Sequence, residues 1–145
     1  MQVEEELGKQ SAEKDMLLTI GVFDGVHLGH RYLISQLTEL AQKQGLLSGV
    51  VTFRQHPQEV LSPQTRLPFL TDLAQRTTLL KNEGVEVIIT LSFTRELAQL
   101  SPRQFLGLLE KYLRMRGLVI GPDFALGQSR EGNTDTLRRL GQEMR

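Results

Sequence analysis

Apolar, partly β-branched runs recur along the chain, and a stretch with helical spacing separates each from the next. Residues 16–23 (MLLTIGVF), 46–53 (LLSGVVTF), 85–91 (VEVIITL) and the short 118–120 run are mainly apolar rather than strictly alternating. Continuous runs of this length belong to strands covered on both faces, the habit of a parallel sheet. Between the first two, Leu33, Ile34, Leu37, Leu40 and Ala41 form a helical stripe that Gly45 closes. Thr71 or Asp72 supplies a cap for a helix through Leu73, Ala74, Thr77, Leu80 and Lys81, with Gly84 at its end. Ser101 and Pro102 supply an N-cap and a first-turn proline for a helix through Phe105, Leu108, Leu109, Tyr112 and Leu113, which Gly117 stops. Residues from Asp135 onward read as helical. The order β-α-β-α-β-α-β-α predicts an α/β fold: an open parallel sheet with helices on both faces. In such sheets ligands sit beyond the carboxyl ends of the strands, at the point where strand order reverses.

Composition narrows the class further. The 145 residues suit one domain, large enough to bury roughly two-thirds of its unfolded surface. Apolar residues make up 39% and charged residues 23%, which excludes a disordered chain. Seventeen basic residues balance seventeen acidic ones, so the sequence predicts no nucleic-acid partner. There is no cysteine, hence no disulfide framework, thiolate nucleophile or cysteine-held metal. No apolar run approaches a membrane span. The first fifteen residues (MQVEEELGKQSAEKD) are polar and acidic, unlike a secretory signal. They predict a short helix or a mobile arm ahead of the domain, and a cytoplasmic protein with no membrane partner.

All three histidines fall at the carboxyl end of a predicted strand. The first strand runs into Gly21-Val22-Phe23-Asp24-Gly25-Val26-His27-Leu28-Gly29-His30. Gly25 and Gly29 let backbone approach a ligand closely. The helix opening near Leu28 or Gly29 offers unpaired N–H groups and a positive dipole end, an anion site. His27 and His30, three apart, share one side of its first turn and suit phosphate oxygens as charge builds on a leaving pyrophosphate. One core and one surface histidine around a glycine turn would give the same spacing. A zinc site using His27, His30, His56 and Asp24 is a further option, although it leaves the glycines unexplained.

Two other strand ends carry chemistry. Phe53, His56 and Pro57 make a small apolar and π-bearing patch fit to line a planar-ring pocket, though Phe53 by itself reads as core. The loop 121–132 (GPDFALGQSREG) places Asp123 to hold Mg²⁺ and Arg130 to reach a phosphate. A solvated loop with a Pro-Asp turn has the same composition.

These segments together resemble one family. "TIGVFDGVHLGH" resembles the first signature of bacterial FAD synthetases, the FMN adenylyltransferase module of bifunctional riboflavin kinase/FAD synthetases. "VVTFRQHP", "PFLTDLAQRTTLLKNEGVEVII", "LSFTRELAQLSPRQFL" and "VIGPDFALGQSREGNTDTL" follow in the family's order and spacing, over about residues 16–140. HxGH by itself marks only the wider nucleotidyltransferase superfamily. The other segments narrow it.

The resemblance implies a Rossmann-like domain of nucleotidyltransferase type that makes FAD and pyrophosphate from FMN and MgATP. It implies that His27, His30 and Asp24 are catalytic, with the two histidines on the ATP phosphates and Gly29 allowing close packing. It places Gly21, Phe23, Gly121 and Arg130 on the ATP side as well. Phe53, His56, Pro57 and Leu126 fall to FMN, and Asp123 to the metal. The chain departs from the family at Leu126, where a phenylalanine is usual, and at Gln128, where a lysine is common. It ends at Arg145, before the family's Ser/Thr-rich phosphate motif and riboflavin kinase barrel, so the expectation is an incomplete adenylyltransferase domain over 16–145 without the kinase. Alternatives are another HxGH nucleotidyltransferase, acting on phosphopantetheine, nicotinamide mononucleotide or a sugar or polyol phosphate, and a module that binds nucleotide or flavin without turnover.

Overall fold

A computed structural model describes residues 2–9, 14–21, 23, 28–54 and 73–119. Four strands, β1 (Met16–Ile20), β2 (Leu47–Phe53), β3 (Val87–Leu91) and β4 (Met115–Leu118), form one sheet in the order β3-β2-β1-β4. Every pairing is parallel. The helices are α1 (Gln2–Lys9), α2 (Leu28–Gln44), α3 (Leu73–Asn82), the short α4 (Arg95–Ala98) and α5 (Pro102–Leu113).

Successive strand residues point to opposite faces, so the sheet builds two cores. On one face Leu18, Ile20, Val51, Phe53, Ile89 and Leu91 pack with Leu7 of α1 and with Phe105, Leu106, Leu109 and Leu113 of α5. On the other, Leu17 and Val50 pack with Ile34, Leu37 and Ala41 of α2 and Leu80 of α3. The chain steps from β1 to β2 to β3 in one direction, then β4 returns to the far side of β1. The reversal therefore falls between β1 and β4, and the carboxyl end of β1 is the place for a ligand.

Helix ends follow the sequence signals closely. Gly45 adopts φ +70, and Leu46 N–H donates to Ala41 C=O at 2.8 Å, closing α2. Gly84 takes φ +102 after α3. Ser101 caps α5 through a reciprocal box with Gln104, and Pro102 sits in the first turn. The Thr71/Asp72 cap and the helix from Asp135 lie outside the described residues.

Several expectations need correction. Arg114, at φ +55, ends α5, so Gly117 does not stop it. Gly117 instead lies within β4, where an added Cβ would come 2.7 Å from Leu17 Cδ1. The fourth strand starts at Met115 rather than Leu118 because β4 flanks the described sheet, and its exposed Arg116 breaks the apolar run. The first strand ends at Ile20, since the chain turns out of the sheet by Phe23. In α3, Ala74 and Lys81 are exposed while Arg76 is buried, so the stripe is rotated from its expected phase. Leu40 faces solvent. The polar N-terminus provides a docked helix, α1, with Leu7 wholly buried, worth about 1.5–3 kcal/mol of apolar burial.

Candidate functional site at the end of the first strand

The site grows from Gly21 and Phe23, just after β1. Gly21 N–H donates to Val51 C=O at 3.0 Å, carrying the ladder one residue beyond the strand. The chain then reaches Phe23 in the left-handed region, φ +56, which non-glycine residues seldom occupy. From there the Phe23 ring folds back over Gly21. An added Cβ at Gly21 would lie 2.8 Å from Phe23 Cε2, so a larger residue there would displace the ring. The ring is only 3% exposed and joins the α2-side core with Leu17 and Ile34.

Helix α2 begins at Leu28, and Gly29 is its second residue. No acidic side chain occupies its first turn, so nothing in that turn offsets the positive end of the dipole. His30 stands in this turn, half-buried, with Nδ1 shielded from solvent. Its ring meets Phe23 edge-on, centroids 5.0 Å apart at 70°. Next to it, Arg31 pairs with Glu83 at 3.2 Å and ties α2 to the turn after α3. Thr19, two residues before Gly21, is fully buried, and its hydroxyl has no hydrogen-bond partner among the described residues.

The end of β2 is held from both faces. On the α3 face, Arg76 is 1% exposed and donates from Nη1 to Thr52 Oγ1 at 3.2 Å and to Phe53 C=O at 3.0 Å. On the α1 face, Arg54 Nη1 pairs with Glu6 Oε2 at 2.7 Å and donates to Ser92 Oγ at 3.1 Å. Glu6 Oε1 also accepts from Ser92 N–H at 3.0 Å, just past β3.

The structure thus brings Gly21, Phe23, Gly29 and His30 to one strand–turn–helix junction. Phe53 is not part of that group. Its ring lies in the α5-side core, edge-on to Phe93 at 5.4 Å, across the sheet from His30. Asp24, His27, His56, Pro57, Gly121, Asp123, Leu126 and Arg130 lie outside the described residues. Among the described residues no three His, Asp or Glu side chains gather to hold a metal ion. Sequence inspection missed Glu6, Arg54, Arg76 and Ser92. Only Arg76 left a signal, a charge set three and four residues from the apolar stripe positions Leu73 and Leu80.

A family model described as FAD synthetase matches residues 9–145. Relatives named bifunctional riboflavin kinase/FMN adenylyltransferase match most of the chain. The one from Escherichia coli (strain K12) is 36% identical over 135 residues, covering 92% of this chain and 43% of the relative. That from Pseudomonas fluorescens is 37% identical over 124 residues, covering 85% and 40%. The chain therefore spans less than half the length of these relatives. A solved structure described as a macrolide-efflux protein from Streptococcus pneumoniae superposes with a TM-score of 0.85 at 27% identity, over 97% of this chain and 45% of that one. No helix among the described residues is long and apolar enough to cross a membrane.

Proposed function

The chain belongs to the FAD synthetase family, and from that premise we propose that it is an FMN adenylyltransferase, transferring AMP from MgATP to FMN to give FAD and pyrophosphate. The observation that supports this most is the junction after β1: a helix start without acidic neighbours, at the reversal of strand order, with an imidazole in its first turn. An FMN phosphate oxygen attacks the α-phosphorus of ATP, the bond from that phosphorus to the bridging oxygen breaks, and pyrophosphate departs. The protein forms no covalent intermediate in this reading. It aligns two anions and offsets their repulsion.

His30, His27 and the N–H groups opening α2 act on the phosphates, with Gly29 permitting close approach and Asp24 beside them. Gly121 and Arg130 complete the ATP side. His56, Pro57 and Leu126 line the flavin side, and Phe53 acts from within the core by fixing where the chain leaves β2. Asp123 would hold the magnesium ion that accompanies ATP, and that ion would supply neutralisation of phosphate charge. ATP and FMN are the partners, and the reaction is placed in the cytoplasm.

The test is product formation. With FMN and MgATP the protein should release FAD and pyrophosphate, resolved by chromatography. A panel of phosphopantetheine, nicotinamide mononucleotide and polyol phosphate with CTP should stay unreacted. Flavin fluorescence quenching without pyrophosphate release would replace the enzyme by a binding module.

A further inference from the structure

We propose that Phe23 is a positioning residue for His30, and that position 21 is a glycine so that the Phe23 ring can take that place; the role in turnover rests on the adenylyltransferase reading above. Three observations meet at this ring. It is 3% exposed, so it has no open face to offer a nucleotide base or a flavin. It stands edge-on to the imidazole of His30, centroids 5.0 Å apart at 70°, the geometry in which a positive ring edge meets a π face. It is reached through a backbone φ of +56, which a glycine would adopt freely and a phenylalanine adopts at a cost. A bulky residue kept in such a conformation points to a task for its side chain.

Contact with His30 and the α2-side core is what the ring gains there. His30 is the third residue of its helix, and a first-turn side chain lacks the preceding turn that restrains those further along. Phe23 supplies that missing wall. Gly21 completes the device from below, since a methyl group there would approach Phe23 Cε2 to 2.8 Å and Cζ to 3.0 Å and push the ring along its contact with the imidazole. The chain of influence runs from position 21 through the Phe23 ring to the His30 imidazole.

The experiment joins a histidine NMR spectrum to steady-state kinetics on the full chain. Three histidines give three sets of ring-proton signals, and His30→Gln identifies the one of interest. In Phe23→Leu and in Gly21→Ala the His30 signals should move, because the ring current acting on them is lost or displaced. In both, kcat for FAD formation should fall about 2- to 10-fold, the size of an aromatic pair contact, while KM for ATP holds. Phe23→Tyr keeps the aromatic ring and should move the His30 signals less than Phe23→Leu does. Gly21→Ala added to Phe23→Leu should cost less than the two single effects combined, since no ring remains to be displaced. If Phe23→Leu does not fold, the comparison of Gly21→Ala with Phe23→Tyr decides. Unmoved His30 signals in Gly21→Ala overturn the proposal. So does a rise in KM for ATP with kcat intact, which would make Phe23 a direct nucleotide contact. The spectrum needs no substrate, so moved signals in a chain that makes no FAD would uphold the positioning and reject the reaction instead.

Discussion

Glu6 and Arg54 face each other across 2.7 Å at the carboxyl end of the sheet, and the acid does more work than the base. Glu6 also accepts from both the backbone N–H and the hydroxyl of Ser92, whereas more than two-fifths of the Arg54 side chain is in solvent. Truncating Glu6 deprives the part-buried Ser92 N–H of its acceptor, a loss of about 1–3 kcal/mol. Truncating Arg54 removes a partly exposed ion pair and one donation to Ser92 Oγ, together about 1 kcal/mol. Urea unfolding of Glu6→Ala and Arg54→Ala should show this asymmetry. Equal losses would reduce Glu6 to a surface partner.

Arg76 holds the end of β2 from the opposite face. Its guanidinium is buried and donates to Thr52 Oγ1 and Phe53 C=O. Arg76→Ala takes away both donations and leaves a cavity, so we expect a loss of about 3 kcal/mol or more. Arg76→Met fills most of the volume and should lose less. Arg76→Lys keeps the charge without the planar fork and should not restore wild-type stability. Thermal unfolding of the three variants ranks them, and a fully stable Arg76→Ala would remove the residue from the framework.

Two glycines should respond in opposite ways to the same added methyl group. Gly49 lies in β2, where a Cβ would come within 2.5 Å of Leu18 Cδ2 and 3.3 Å of Met16 Sδ. Gly49→Ala should destabilise by about 1–3 kcal/mol through overpacking. Gly107 lies in α5 with nothing within 4 Å of an added Cβ. Gly107→Ala should stabilise by about 0.5–1 kcal/mol, because alanine loses less freedom in a helix. Chemical denaturation checks both signs.

Asp15 gives the fold an acid dependence. Hydrogen bonds from Arg116 Nε at 3.0 Å and Arg114 Nε at 2.8 Å hold its carboxyl below the usual value of 3.8. The unfolded chain therefore takes up this proton at a higher pH than the folded one. The stabilisation is present above about pH 3.8, fades as pH falls toward the lowered folded value, and is gone below it. Asp15→Asn should flatten this part of the stability–pH curve by lowering stability in the neutral region, with the difference from wild type vanishing in acid where the wild-type carboxyl is itself protonated, as measured by unfolding between pH 2 and pH 7. An unaltered acid limb would place the dependence on other carboxylates.

The parallel α/β plan was legible because mainly apolar runs such as 16–23 and 46–53 alternate with helical stripes, a pattern suited to a sheet covered on both faces. Caps at Gly45, Gly84 and Ser101 were legible because each is a local matter of backbone geometry. What escaped was tertiary. Glu6 meets a residue 86 positions away, a pairing that no local pattern records. Arg76 is charged yet fully packed, so it shifted the apparent phase of α3. The left-handed turn at Phe23 was hidden because phenylalanine is not a turn residue. Of the expected site, Gly21, Phe23, Gly29 and His30 are brought together, while Phe53 packs across the sheet.

His30 is the described residue on which turnover should depend most. It occupies the first turn of α2 with no acidic side chain in that turn, so in the proposed reaction the charge developing on a leaving pyrophosphate would meet the imidazole and the positive end of the helix dipole. Removing one preorganised stabiliser of this kind lowers kcat by roughly 10²–10³. His30→Ala should show that loss in FAD formation while its thermal unfolding stays cooperative, because the ring is only half-buried. Pre-steady-state measurement with saturating FMN and MgATP separates a slower chemical step from weaker binding. Turnover at the wild-type rate would take His30 out of the mechanism and leave the backbone N–H groups of α2 as the stabilisers at this junction.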